Sequence, residues 1–287
     1  MTAIPFMLGA DDYGIAPGVG AAIRALLARR RLSGTSCLVV SPHFAAEAPA
    51  LRDLAPDADI GLHLALTQFA PLGAMPRLAS GGVLPPAGKL IALALTRRLD
   101  PGEIGAEIDR QLDAFERAFA RPPGYVDGHH HVQQLPVVRD VLLARFRARL
   151  PEGTALRVCA EPPGAVIARG VAVPRAALIG CLGAGLRRRA DAAGIPSNRR
   201  FAGVRDFNEK APYRALFRRF IRGSPAGLAV MCHPGHPDAA LAALDHVTHA
   251  RQGEYDYLAG DEFPADLTAA GMRLARFRDL PPPPARR

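Results

Sequence analysis

Four groups of carboxylate and imidazole side chains follow short apolar runs in this chain of 287 residues. The groups are Asp11 with Asp12, His63, Asp127 with His129–His131, and His233 with His236. In parallel α/β folds the carboxyl ends of the strands meet on one face, so residues far apart in sequence can converge there. We therefore predict an active site built from strand ends.

The adjacent carboxylates Asp11 and Asp12 indicate a bound cation, because two like charges a few Å apart repel each other. One aspartate with two histidines makes a three-ligand set that leaves positions open for water and substrate. The other carboxylate then stays free to act as a base. We predict one divalent ion, Mg or Zn, with Co, Ni or Fe also compatible.

The histidine run His129–His131 cannot place all three rings on one ion. In extended backbone successive side chains point to opposite faces, so we expect His129 and His131 to share a side. Simpler interpretations remain for single residues. Asp12 alone is typical of a helix cap, His63 alone of a hydrogen-bonded core histidine, and Cys232 of a small buried strand residue. We expect His43, His246 and His249 on the surface.

The elements that carry these groups alternate between strand and helix. Strand-like runs lie at 4–8, 35–40, 58–66, 124–128, 155–160, 227–235 and 272–277. Helical patterns lie at 14–32, 43–54, 100–119, 136–150 and 212–221. Asp100 and Pro101 are suited to begin the third of these helices. Repeated strand–helix units predict an α/β fold with a parallel sheet and outer helices, and the strand count favours a barrel over an open sheet.

We predict a single domain over residues 1–280, followed by a loose tail at 281–287. Residues 67–100 are rich in proline and glycine and too long for an ordinary connection, so we expect an insertion or lid there. The region 160–210 shows no clear periodicity, and its elements stay unassigned.

Composition narrows the function classes. The net charge of +9 would suit nucleic acid, but the arginines are scattered, aromatic residues make up 6% and tryptophan is absent, so nucleic-acid binding ranks below the enzymes. The cysteines form no C-x-x-C pair, which excludes a zinc knuckle or redox motif. No secretory signal or apolar run of ~18 residues is present, so we predict a cytoplasmic protein without a membrane span. A homo-oligomer is possible.

Four motifs, in order and spacing, resemble those of the YdjC-like carbohydrate deacetylases over nearly the full chain. They are ADDYGIAPGVGAAI, GLHLALT, VDGHHHVQQLP and MCHPGH, and RVCAEP and RFAGVRDF are similar to weaker family segments. The chain differs from many relatives at Gly20, Tyr125, Gln133 and His236, which bears on the choice of substrate.

The resemblance implies a distorted (β/α) barrel that removes an N-acetyl group from an acetylated saccharide. It implies metal binding by Asp12, His63 and His129, with Asp11 as base and His233 as acid. We also expect Asp127 to orient a ligand histidine, and His131, Arg157 and His236 to lie beside the metal ligands or contact the substrate. A metal hydrolase of another class, such as a phosphoesterase, would use the same residue types and stays an alternative.

Overall fold

The computed structural model describes residues 3–54, 58–208 and 210–281. Its strands run over Ile4–Tyr13 (β1), Gly34–Cys37 (β2), Asp59–Leu64 (β3), Tyr125–Gly128 (β4), Ala155–Leu156 (β5), Arg200–Ala202 (β6), Leu228–Cys232 (β7) and Met272–Leu274 (β8). Its helices run over Pro17–Ala28 (α1), Phe44–Arg52 (α2), Ala87–Leu95 (α3), Pro101–Phe119 (α4), Val138–Arg149 (α5), Pro163–Arg169 (α6), Val173–Ala192 (α7), Tyr213–Ile221 (α8), Ala239–Leu244 (α9), His249–Ala259 (α10) and Glu262–Ala269 (α11).

The strands form one parallel sheet in the order β5-β4-β3-β2-β1-β7-β6, with β8 paired to the start of β1. The sheet curls so that its two edges approach each other. Leu156 of β5 forms a parallel bridge with Ser197, and the Asn198 amide bonds both the N–H and the C=O of Val158 at 2.8 Å. The predicted distorted barrel of one domain, with helices around parallel strands, is confirmed.

Strand β1 is central because both its edges are paired and both its faces are buried. Phe6–Ala10 pairs with Leu228–Cys232, while Gly9 and Ala10 pair with Gly34 and Thr35 on the other side. Continuous apolar runs such as FML are typical of parallel strands covered on both faces. The end of β1 is therefore fixed at the middle of the sheet.

The helix α4 follows its predicted pattern. The Asp100 carboxylate accepts hydrogen bonds from the backbone N–H groups of Gly102 and Glu103, at 2.8 and 3.1 Å. The apolar stripe from Ile104 to Phe119 is buried. The insertion at 67–100 packs on this helix, since the Glu103 carboxylate accepts hydrogen bonds from the backbone of Arg77 and Leu78.

The unassigned region 160–210 folds into α6, α7 and β6. A Cβ atom on Gly183 would lie 2.5 Å from the backbone nitrogen of Ala160, so α7 approaches the chain through glycine rather than through apolar side chains. This explains why no apolar periodicity marks the helix.

No helix in the described ranges combines the length and the apolar character needed to cross a membrane. The cytoplasmic location stays a prediction. The predicted tail at 281–287 lies outside the described residues apart from Pro281.

A substitution at Gly203, directly after β6, tests whether the backbone at this position requires glycine. Its φ is +107°, and a Cβ atom there would lie 2.2 Å from the Met231 carbonyl oxygen. We expect Gly203→Ala to lower the free energy of unfolding by roughly 1–3 kcal/mol, measured by denaturant titration. Gly88→Ala is the control, because nothing lies within 4 Å of its added Cβ in α3. Equal effects of the two substitutions would contradict the expectation.

Candidate active site

The side chains of Asp11 and Asp12 lie in the same site because the backbone of β1 is distorted at its C-terminal end. Adjacent residues of a regular strand point to opposite faces, yet both carboxylates are 2% exposed and face the same cluster of side chains. Asp12 has a φ of +67°, and the pairing of β1 with β2 shifts register between Ala10 and Tyr13. Such a bulge re-aims side chains at a strand end.

Asp12, His63 and His129 lie together in a buried group. Asp12 Oδ1 is 3.3 Å from His63 Nε2 and 3.1 Å from His129 Nδ1, and one ligand atom from each residue lies within 4.8 Å of the others. Helix α1 is capped by Ala16 without a side-chain bond, so Asp12 does not serve as its cap. One carboxylate and two imidazoles around a common point fit a divalent ion with open coordination positions.

His63 and Asp127 are paired across the neighbouring strands β3 and β4. His63 Nδ1 is 2.6 Å from Asp127 Oδ1, so this nitrogen carries a proton and Nε2 faces Asp12. Burial would lower the pKa of His63, but the charges of Asp127 and Asp11 raise it to about 10. An ion bound at Nε2 therefore displaces a proton from an imidazolium.

Arg157 holds Asp11 by both carboxylate oxygens, at 2.5 and 2.7 Å, and its Nη1 is 2.9 Å from Asp127 Oδ2. All three residues are at most 2% exposed. Burial alone would raise the pKa of Asp11, but the charge and hydrogen bonds of Arg157 outweigh it and lower that pKa to about 2. Asp11 is therefore ionised at neutral pH.

His233 lies directly after β7, close to Asp11. Its Nε2 is 3.9 Å from Asp11 Oδ2, and its backbone N–H donates to Glu254 Oε2 at 2.6 Å. The ring meets that of Phe207 edge to face, with centroids 5.3 Å apart. The imidazole is thus held within reach of the carboxylate predicted to act as base.

The expectation of extended backbone through the histidine run is wrong. His130 and His131 have φ of +52° and +58°, and residues 129–134 form a 3₁₀ turn. The His130 ring lies 4.0 Å from that of His129, while His131 Nδ1 turns away to Cys159 Sγ at 3.5 Å. Within the run, His129 is the member that reaches Asp12. Desolvation, with the nearby Arg157 charge, lowers the pKa of His131 to about 3, so that ring is neutral.

The remaining predicted residues lie around this cluster. His236 Nδ1 is 3.0 Å from Gln252 Oε1, and its ring packs on Tyr255, so its contact with substrate stays a prediction. Cys232 is buried, as predicted, and burial raises the pKa of its thiol well above the usual value. His246 and His249 are exposed as expected, and His43 is half-buried.

Two polar residues that contact the predicted ligands gave no signal in the sequence. Arg251 Nη2 of α10 is 2.7 Å from Asp12 Oδ2 and 2.6 Å from Asp245 Oδ2, and its side chain is fully buried. Gln68 Oε1 is 3.0 Å from His129 Nε2. Arg251 lies on a helix, and Gln68 lies at the start of the insertion after β3, beyond the carboxylate and imidazole groups that marked the strand ends.

Known proteins match the chain over nearly its full length. The family model for YdjC-like protein matches residues 6–269. A chitooligosaccharide deacetylase from Serratia marcescens is 29% identical over 283 residues, covering 96% of this chain and 98% of that protein. A structure from Enterococcus faecalis V583, described as a cellobiose-phosphate cleavage protein, has a TM-score of 0.72 at 21% identity, with 96% of this chain and 98% of that one covered.

A more distant fold likeness involves the Bc1960 peptidoglycan N-acetylglucosamine deacetylase. Its TM-score is 0.50 at 12% identity, with 96% of this chain and 89% of that one covered. At these identities the two solved structures support the shared barrel fold alone.

The ion pair of Asp11 with Arg157 predicts a pH-dependent stability of the metal-free protein. The pKa of Asp11 is lowered from 3.8 to about 2, so its contribution is present above the unfolded value and lost as pH falls through the folded one. We expect Asp11→Asn to cost roughly 2 kcal/mol at neutral pH, with the cost shrinking on acidification, measured by denaturant titration. Asp140→Asn is the control. The Asp140 side chain is 42% exposed in its ion pair with Arg189, so this substitution should change the free energy of unfolding little. A cost that is independent of pH would contradict the assignment.

Proposed function

The chain belongs to the YdjC-like protein family, and from that premise we propose that it is a metal-dependent carbohydrate N-deacetylase. Its substrate would be an N-acetylated sugar or oligosaccharide, which it would hydrolyse to a free amine and acetate. The observation that carries this proposal is the convergence of Asp12, His63 and His129 beside the ionised carboxylate of Asp11. The chitooligosaccharide deacetylase name of the Serratia relative supports the substrate class.

Asp12, His63 and His129 would hold one divalent ion, either Mg or Zn, and the donor set also suits Co, Ni or Fe. Such an ion polarises an amide carbonyl and acidifies a water molecule. Asp127 supports this role of His63, because it accepts the Nδ1 proton and leaves Nε2 for the ion.

Asp11 would take the proton from the attacking water. Arg157 keeps this carboxylate ionised and fixes both of its oxygens, so it stays available as an acceptor. The same Arg157 contacts Asp127, so one guanidinium aligns the base with the partner of His63. A base held in place before the reaction avoids the cost of ordering it during the reaction.

His233 would donate a proton to the departing nitrogen, which must leave as an amine rather than as an amide anion. Its Nε2 lies 3.9 Å from Asp11 Oδ2, which supports an acid and a base that act on one reacting centre. The bond from its backbone to Glu254 keeps the end of β7 in place. His131, neutral and close to Arg157, would line the pocket next to this acid.

We expect the metal-loaded protein to release acetate from N-acetylated chitooligosaccharides, measured over a panel of acetylated saccharides. Asp11→Asn should lower kcat by about 100-fold or more, because general base assistance is typically worth that much. The metal content of the variant should stay near that of the wild type. Full activity of the variant would refute the base assignment, and no acetate from any member of the panel would refute the deacetylase.

We expect His63→Ala to lose the bound ion and the activity together, because the ion then keeps two of its three protein ligands. Metal content after dialysis, measured by mass spectrometry, is the direct readout. His246→Ala is the matched control, since that side chain is 95% exposed. Retention of a full equivalent of metal by the His63 variant would remove this residue from the ligand set.

A further inference from the structure

Each proposed ligand has a polar partner on the atom that faces away from the shared point. Asp127 holds Nδ1 of His63, and Arg251 holds Oδ2 of Asp12. Gln68 contacts Nε2 of His129. The first partner is a charged acceptor and the second a charged donor, whereas the third is a neutral amide.

The amide of Gln68 can face His129 in one orientation only. Its NH₂ group donates a hydrogen bond to the Leu244 carbonyl oxygen, which cannot donate in return. Its Oε1 is therefore the atom 3.0 Å from His129 Nε2. Because an amide oxygen only accepts, that ring nitrogen must carry a proton.

With the ion bound, the two ligand histidines would thereby be held in opposite tautomers. His63 would keep the Nδ1 proton that Asp127 accepts, and its Nε2 faces Asp12. For His129 the proton sits on Nε2, and Nδ1 faces Asp12 at 3.1 Å. If both rings carried their proton on the same kind of nitrogen, the unprotonated nitrogen of one ring would face away from Asp12.

We propose that Gln68 is a positioning residue that fixes the Nε2–H tautomer of His129 and so presents Nδ1 to the ion. This inference rests on the proposed function, since the ion is part of that proposal. The anchor of Gln68 is Leu244 at the end of α9, and the next residue, Asp245, anchors Arg251. The adjacent residues Leu244 and Asp245 thus hold the polar partners of two of the three proposed ligands. Leu244 holds Gln68, the partner of His129, and Asp245 holds Arg251, the partner of Asp12.

Two substitutions separate the acceptor role from anchoring of the insertion. Gln68→Ala removes both contacts, whereas Gln68→Glu keeps an acceptor for His129 but cannot donate to Leu244. We expect Gln68→Ala to weaken Zn²⁺ binding by about 10–100-fold, as loss of a group that orients a metal-binding histidine typically does, and Gln68→Glu to stay near the wild-type affinity. Calorimetric titration of the chelator-treated full chain with Zn²⁺ gives these values.

The tautomer itself is read from the ¹⁵N shifts of His129 in the metal-free protein. We expect a proton on Nε2 in the wild type and in Gln68→Glu, whereas in Gln68→Ala the ring should keep only the Nδ1 proton, which Asp12 Oδ1 accepts at 3.1 Å. Gln252→Ala removes a glutamine from His236, which is outside the ligand set, and should leave Zn²⁺ affinity and the His129 tautomer unchanged.

Unchanged Zn²⁺ affinity in Gln68→Ala, or equal losses in both Gln68 variants, would overturn the acceptor role. A wild type that binds no ion would instead refute the proposed metal site. The tautomer in the metal-free protein would still decide the role of Gln68 in that case, so the two failures are distinguishable.

Discussion

The burial of three carboxylates side by side is the constraint on which the rest of the site depends. Asp11, Asp12 and Asp127 are each at most 2% exposed, and ionised groups in such a place are costly unless they are paired. Two buried guanidiniums and the imidazolium of His63 match them in number. The barrel therefore brings cationic side chains from distant parts of the chain to the end of its central strand, and the arrangement of the proposed site follows from that charge balance.

The sequence predicted the parts of the site that lie at strand ends. Apolar runs mark the strands, and parallel strands bring their carboxyl ends to one face, so the convergence of the groups that contain Asp12, His63 and His129 was foreseeable. The choice of these three residues as ligands came from the family resemblance. The direction of each side chain was not. Alternation along an extended strand fails at Asp12 and His131, where positive φ turns the backbone, and no residue type in the run signals that turn.

The supporting residues escaped prediction for a different reason. Arg251 lies within a helix and Gln68 in an irregular insertion, and an arginine or glutamine in such places is usually solvated. Their role becomes visible only in the folded structure, where Arg251 contacts Asp12 and Gln68 contacts His129. Helix α7 was missed because it packs against the chain at Ala160 through glycines such as Gly183. Glycine has no side chain, so these positions do not produce the apolar periodicity that predicts a helix.

The pairing of Asp12 with Arg251 joins residues 239 positions apart, so the order of synthesis bears on how the site matures. On the ribosome Asp12 emerges early and remains without Arg251 until most of the polypeptide has been made. The end of the central strand thus cannot bury this carboxylate at low cost before α10 arrives. Completion of the proposed ion site therefore requires the late-made helix α10 to pack against the end of β1.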